Sequence, residues 1–226
     1  MPGRAEPDRG PGKTPVDAAR IPEYARWAFF TSDAHSREMR SVQSAPLPAN
    51  EELRLEALRR FGANNALFDP DFDELALLAA EICNTPIALV TLIDEDRQWL
   101  KGRAGTELTQ TSREVSFCSH AILGSDLFVV PDAAEDERFA DNPMVVGDPN
   151  IRSYTGAPLM TSDGYALGTV CVIDREPRVL SAQEGEALKV LGRRIVALLE
   201  LRRTQADLKR TIAEMRAPDD EEPGAG

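Results

Sequence analysis

Histidine is scarce in this chain of 226 residues, occurring only as His35 and His120. Three cysteines, Cys83, Cys118 and Cys171, stand far apart and form no C-x-x-C pair. A structural zinc site, which draws four ligands from His and Cys, is therefore excluded. The odd, dispersed cysteines suit a reducing cytoplasm better than a disulfide framework. No apolar run approaches the roughly 18 residues needed to span a bilayer. The opening MPGRAEPDRGPGK carries charge but no apolar segment behind it, so a secretory signal is not expected and the protein reads as cytoplasmic. Lysine is rare as well, four against 22 arginines, a hint of a GC-rich bacterial genome. Acids outnumber bases 38 to 26, and the net charge of −12 disfavours nucleic acid and anionic membranes as partners. No Gly-rich phosphate loop, G-x-S-x-G elbow, H-E-x-x-H or EF-hand loop is present.

The apolar residues, 42% of the chain, are unevenly placed. Residues 1–49 hold seven prolines and three glycines and little apolar periodicity, so most of this tail is expected to be disordered. One island interrupts it at 21–30, where Tyr24, Trp27 and Phe30 recur every third residue. Such rings find a cover, either on the chain's own domain or on a partner protein. The acidic, Pro/Gly-containing end at 217–226 is expected to be solvated. Residues 50–203 read as one domain and 204–216 as a helical extension.

Within that domain, helices and strands follow one another. Asn50 is placed to cap a helix over 51–60, with Leu53, Ala57 and Leu58 on its apolar stripe and Gly62 as a stop. Asp71-Phe72-Asp73-Glu74 opens a second helix reaching Cys83. Ile87 to Ile93 is a short β-branched run, the mark of a strand buried on both faces. Residues 98–101 alternate like a strand covered on one side, followed by a loop holding Gly102 and Gly105. A short helix is expected at 116–123, a third strand at 127–130, and a long acidic excursion over 132–141. Two more strands, 153–159 and 165–173, flank Ser162-Asp163-Gly164, a hairpin signal. Ser181 with Glu184 forms a capping box opening a long C-terminal helix. Val90-Thr-Leu-Ile-Asp94 and Val170-Cys-Val-Ile-Asp174 echo each other as two central strands expected to leave the sheet at the same edge. Strands in series with helices at both ends indicate an α+β fold with an antiparallel sheet.

The middle of the chain resembles a GAF domain, a small-molecule sensory module of signalling proteins. The similar stretches are Thr85-Pro-Ile-Ala-Leu-Val-Thr-Leu-Ile-Asp94, Arg97-Gln-Trp-Leu-Lys101, Arg113-Glu-Val-Ser-Phe-Cys-Ser-His-Ala-Ile122, Val130-Pro-Asp-Ala133 with Arg138-Phe139, Gly156-Ala-Pro-Leu159 and Ala166-Leu-Gly-Thr-Val-Cys-Val-Ile-Asp174. The resemblance implies a GAF/PAS-like six-stranded antiparallel sheet with helices on both faces. It also implies a pocket roofed by loops and short helices, and terminal helices packed together, often as a dimer. Some members reduce free methionine sulfoxide with cysteines gathered over the pocket. Here only Cys118 is expected to be well placed, since Cys83 precedes the first strand and Cys171 lies within one. Members that attach a bilin carry His or Tyr directly after the cysteine, where this chain has Ser119. The Asn-Lys-Phe-Asp-Glu set of cyclic-nucleotide binders cannot be assembled.

Cys118 and His120 point roughly 160–200° apart on one helix, so the thiol or the imidazole, but not both, is expected to face the interior. Either is a helix anchor, a pocket-lining group or a reactive group. Arg152, Tyr154 and Asp132 are the polar groups expected to face a ligand, with Trp99 and Phe139 as ring walls. Arg152 has the alternative of pairing with nearby acids on the surface. On the last helix, Leu198, Leu201, Gln205, Leu208, Ile212 and Met215 recur in alternating steps of three and four. That seam predicts a short coiled coil with a second copy, with Gln205 as a register mark. No output domain is expected in this chain, so the expected reading is a non-catalytic sensor that binds a small ligand or responds to redox state, and signals through the C-terminal helix or a partner in trans. The alternatives are a thiol-based redox enzyme, resembling a methionine sulfoxide reductase and using Cys118, and a ligand-free interaction scaffold. No cofactor is specified by these residues.

Overall fold

The computed structural model describes residues 42–61 and 70–216. The aromatic motif at 21–30, Gly62 and the acidic end at 217–226 lie outside the described residues.

Period-two alternation sorts each strand between two cores. Strand β1 (Ile87–Ile93) is buried along its whole length. Ala88, Val90 and Leu92 enter one apolar cluster, while Ile87, Leu89 and Ile93 enter the other. Beside it runs β6 (Ala166–Asp174), with Val170 opposite Val90 and Thr169 opposite Thr91. Around this pair lie β2 (Arg97–Ala104), β3 (Gln110–Ser112), β4 (Phe128–Val130) and β5 (Ser153–Met160). The six strands form one antiparallel sheet in the order β3-β2-β1-β6-β5-β4. Pro158 is tolerated in β5 because it lies past the end of β4, where the strand has a free side.

Three helices cover one face: α1 (Glu51–Arg60), α2 (Pro70–Cys83) and α5 (Ala182–Arg216). Two short helices, α3 (Phe117–Ala121) and α4 (Pro143–Val146), lie with their loops on the other. The capping box forms as expected, Ser181 N–H donating to Glu184 Oε2 at 2.6 Å and Glu184 N–H to Ser181 Oγ at 3.3 Å. Leu188, Leu191 and Ile195 of α5 are buried on the sheet. Beyond Leu199 the helix runs on clear of it, with Leu201, Leu208 and Met215 exposed at 54%, 59% and 73%. No helix among the described residues is long and apolar enough to cross a membrane.

Several details differ from the sequence expectation. Leu53 points to solvent, and the buried stripe of α1 is Arg54, Leu55, Ala57 and Leu58. Asn50 precedes α1 but makes no side-chain cap; its carbonyl accepts from Arg54 N–H at 2.9 Å instead. Gly102 lies within β2 rather than in a loop, because α2 crosses so closely that a Cβ there would stand 2.1 Å from the Phe72 carbonyl oxygen. The segment 110–112 forms an edge strand where a loop is expected. Pro143 to Val146 adds a single helical turn capped by Asn142. Because β1 and β6 are antiparallel neighbours, Asp94 and Asp174 leave the sheet at opposite ends, not at the same edge.

Candidate functional site

Helix α3 is too short to hold itself and is fixed by side chains. Ser116 Oγ accepts from Ser119 N–H at 3.2 Å and donates to Gln98 Oε1 on β2 through a short contact. Ser119 Oγ donates to the Arg113 carbonyl at 3.1 Å. Asn142 works in both directions, its amide donating to Val115 O at 2.9 Å and its oxygen capping α4 at Met144 N–H. These buried polar groups are paired in full, as burial demands.

Between α3 and the sheet lies a partly open cavity of about 40 Å³. Its floor is Ile87, Leu89 and Ile173 of the central strands, with Gln98 and Leu100 of β2 along one side. Phe117 and Cys118 of α3 and Tyr154 of β5 close the inner end, and Thr106, Leu108, Thr111, Met144, Pro149 and Ile151 form the mouth. That volume admits a few water-sized groups, each needing about 10–15 Å³. No Asp, Glu, Lys, Arg or His side chain lines it.

At the inner end three hydroxyls and two thiols converge in an otherwise apolar site. Tyr154 Oη donates to Cys118 Sγ at 3.3 Å and lies 3.4 Å from Thr169 Oγ1. Thr169 Oγ1 is 3.1 Å from Thr91 Oγ1. Cys118 Sγ is 3.9 Å from Cys171 Sγ of β6, and both residues are buried. Tyr154 reaches the sulfur by crossing over Gly156, where a Cβ would meet its hydroxyl at 2.3 Å. Its ring is held by Phe117, with centroids 5.3 Å apart. Burial raises the Cys118 thiol, but hydrogen bonds from Cys171, Thr169, Thr91 and Tyr154 outweigh it and bring the pKa down to about 6. Cys171 is pushed well above its ordinary value by burial and by its neighbour Cys118.

Of the seven residues read from the sequence as facing a ligand, the cavity brings together Cys118 and Tyr154. Phe139 is buried one layer out, stacked on Phe117 at 4.0 Å. His120 is buried too, so both faces of α3 are covered, contrary to the expectation that only one would be. Its Nε2–H donates to the Gln43 carbonyl at 3.2 Å and its ring meets Phe139 edge-on. Burial lowers its pKa, which favours the neutral ring. Trp99 turns away, its Nε1–H donating to Asp94 Oδ2 at 3.3 Å, and the adjacent Gln98 faces inward instead. Asp132 is half-buried outside the cavity and accepts from Ala134 N–H in a local turn. Arg152 donates to the Val145 and Ile151 carbonyls at 2.9 and 3.1 Å, clamping the loop rather than lining the cavity. Cys171 is the main correction among the thiols, since it meets Cys118, whereas Cys83 belongs to the core on the opposite face.

A second constellation joins the two faces. Glu51 takes Arg54 Nε and Nη2 at 2.7 and 2.8 Å and Arg113 Nη1 at 2.5 Å. Arg54, only 1% exposed, also donates to the Ile93 carbonyl at 2.8 Å, and Arg113 to the Asp94 carbonyl at 2.9 Å. The start of α1 is thereby tied to the end of β1 and to the segment that carries α3.

Comparison with known proteins places this arrangement. A cyclic di-GMP phosphodiesterase of Pseudomonas aeruginosa is 43% identical over 147 residues, 65% of this chain and 25% of that relative. The chain thus spans about a quarter of the relative's length. Among solved structures, the GAF domain of an Acinetobacter phosphoenolpyruvate-protein phosphotransferase shares the fold at 18% identity, with a TM-score of 0.51 over 69% of this chain and 98% of that one. A free methionine-R-sulfoxide reductase from Neisseria meningitidis, in complex with its substrate, shares it at 17% identity and TM-score 0.51, over 72% and 99% of the two chains. The GAF domain family model matches residues 51–199, about two thirds of the sequence, and the chain belongs to that family.

Proposed function

We propose that this chain is a non-catalytic sensor of cytoplasmic bacterial signalling. It takes a small, uncharged and largely apolar molecule into the cavity beneath α3 and passes the change through α5 to a second copy. The carrying observation is the cavity itself, set between the sheet and a helix held by side-chain hydrogen bonds, with polar groups at one end and no carboxylate, Lys, Arg or His in its lining. An anionic ligand would meet no cation there and would face the Cys118 sulfur, whose lowered pKa already favours negative charge, which narrows what the overall acidity says about ligands. The kinship with a cyclic di-GMP phosphodiesterase supports a signalling role. Homodimerisation is supported by the seam Leu198, Leu201, Gln205, Leu208, Ile212 and Met215, whose outer members are exposed along a helix extending past its own sheet.

Native mass spectrometry of freshly purified full-length protein tests both parts. The expected spectrum is a two-chain species carrying extra small-molecule mass, and the double substitution Leu208→Lys with Ile212→Lys is expected to give single chains. A variant that keeps the wild-type mass removes the seam from the interface. The small volume favours a second reading, a ligand-free interaction scaffold, for which the dimer would carry no added mass.

A further inference from the structure

Cys118 and Cys171 are brought together by tertiary structure alone, 53 residues apart in the chain and on opposite walls of one interface. Their sulfurs are already in van der Waals contact at 3.9 Å, and a disulfide needs them at about 2.05 Å. We propose that these two residues form a dithiol site for small peroxides, in which Cys118 is oxidised first and Cys171 closes the disulfide. The inference stands apart from ligand binding, since it requires only that a molecule little larger than water reach Cys118 through the cavity it lines.

The neighbours divide the labour. Tyr154 Oη donates to Cys118 Sγ, and Thr91 and Thr169 add hydroxyls to the same cluster, so a sulfur anion on Cys118 is solvated by fixed donors where water is scarce. The lowered pKa of Cys118 agrees with its being the attacking sulfur. In the first step the Cys118 thiolate attacks one peroxide oxygen. The O–O bond breaks, a sulfenic acid forms and hydroxide leaves, to be protonated to water. In the second, Cys171 sulfur attacks Cys118 sulfur. The S–S bond forms, the sulfenic hydroxyl departs, and with the Cys171 proton it makes a second water. Two thiols lose two electrons in total, and one hydrogen peroxide is reduced to two waters, or an organic peroxide to its alcohol and one water. Cys83 makes an internal control, because it lies in the other core and burial pushes its thiol up to about 11.

Closure draws α3 toward β6 and narrows the inner end of the cavity. The test is to treat the reduced full-length protein with hydrogen peroxide, alkylate the remaining thiols under denaturing conditions, and weigh and map the products. The expected result is loss of two hydrogens, a peptide linking Cys118 to Cys171 within one chain, a single alkylated thiol at Cys83, and reversal by dithiothreitol. Cys171→Ser should stop at a sulfenic acid on Cys118, trapped by dimedone. Cys118→Ser should lose thiol at least about tenfold more slowly than wild type. Three intact thiols in the wild type, under peroxide that fully oxidises free dithiothreitol, would overturn the proposal, and that reading needs no variant to fold. So would a disulfide through Cys83 or between chains, or a Cys118→Ser protein that oxidises as fast as the wild type.

Discussion

Replacing Glu51 with Gln tests whether the two faces of the domain are held together by one carboxylate. The substitution keeps the shape but removes the charge that faces Arg54 and Arg113, which are 1% and 8% exposed. Arg54 would retain its bond to Ile93 O, and Arg113 its bond to Asp94 O, so neither guanidinium is stripped of all partners. Removing one partner from a buried ion pair costs about 3–5 kcal/mol, and the surviving carbonyl contacts place this case near 3 kcal/mol. With a urea m-value of about 2 kcal/mol per molar, the unfolding midpoint should fall by about 1.5 M at neutral pH. The pH dependence gives a second readout. Burial raises the Glu51 pKa, but the hydrogen bonds and charges of Arg54 and Arg113 outweigh it and hold the group below its ordinary 4.5. A carboxylate depressed on folding stabilises fully above its unfolded pKa and loses that contribution as pH falls through the folded one. The difference between wild type and Glu51→Gln should therefore be constant above about pH 5 and shrink as pH drops below about 4. A midpoint shift under about 0.5 M with unchanged m would refute the account, because it would mean that the arginines are adequately solvated without Glu51.

Gly156→Ala should destabilise by about 1–3 kcal/mol, since the new methyl meets the Tyr154 hydroxyl at 2.3 Å and the stacked ring must shift. Tyr154→Phe alone should cost about 1 kcal/mol for its hydrogen bonds, and the double variant less than the sum because the clashing oxygen is gone; strict additivity in urea melts would contradict this. Ser181→Ala breaks one arm of the capping box and should lower stability by about 1 kcal/mol, whereas an unchanged melt would show that Glu184 suffices alone.

The frame was legible because it rests on local pattern. Seven consecutive apolar or β-branched residues become a strand buried on both faces, and Ser181 with Glu184 announces the long helix. The hairpin closes where Asp163 and Gly164 predict, with Thr161 N–H donating to Tyr165 O at 2.9 Å. What resisted reading depends on partners distant in sequence. Strand β3 is three polar residues at the sheet edge, with no periodicity to mark it. Trp99 is the bulkier ring and invites an inward assignment, yet Gln98 takes that place because Ser116 supplies a partner for its amide oxygen. Arg54 resembles a solvated surface charge until Glu51 and two strand-end carbonyls are seen around it. Cys118 and Cys171 meet only because α3 is pinned over β6, a relation that residue spacing does not encode.

Helix α5 has a mechanical consequence. Its 35 residues make a rod of about 52 Å, of which about 20 Å lies beyond Arg203, which stacks on Phe61 next to the Arg202–Asp71 ion pair. Pivoted at that point, a tilt of about 5° moves the far end by roughly 2 Å. A repacking too small to alter the sheet is thereby magnified with distance from the fulcrum. Deleting one helical turn from the portion past Arg203 would shorten the throw by about a quarter while leaving the core untouched.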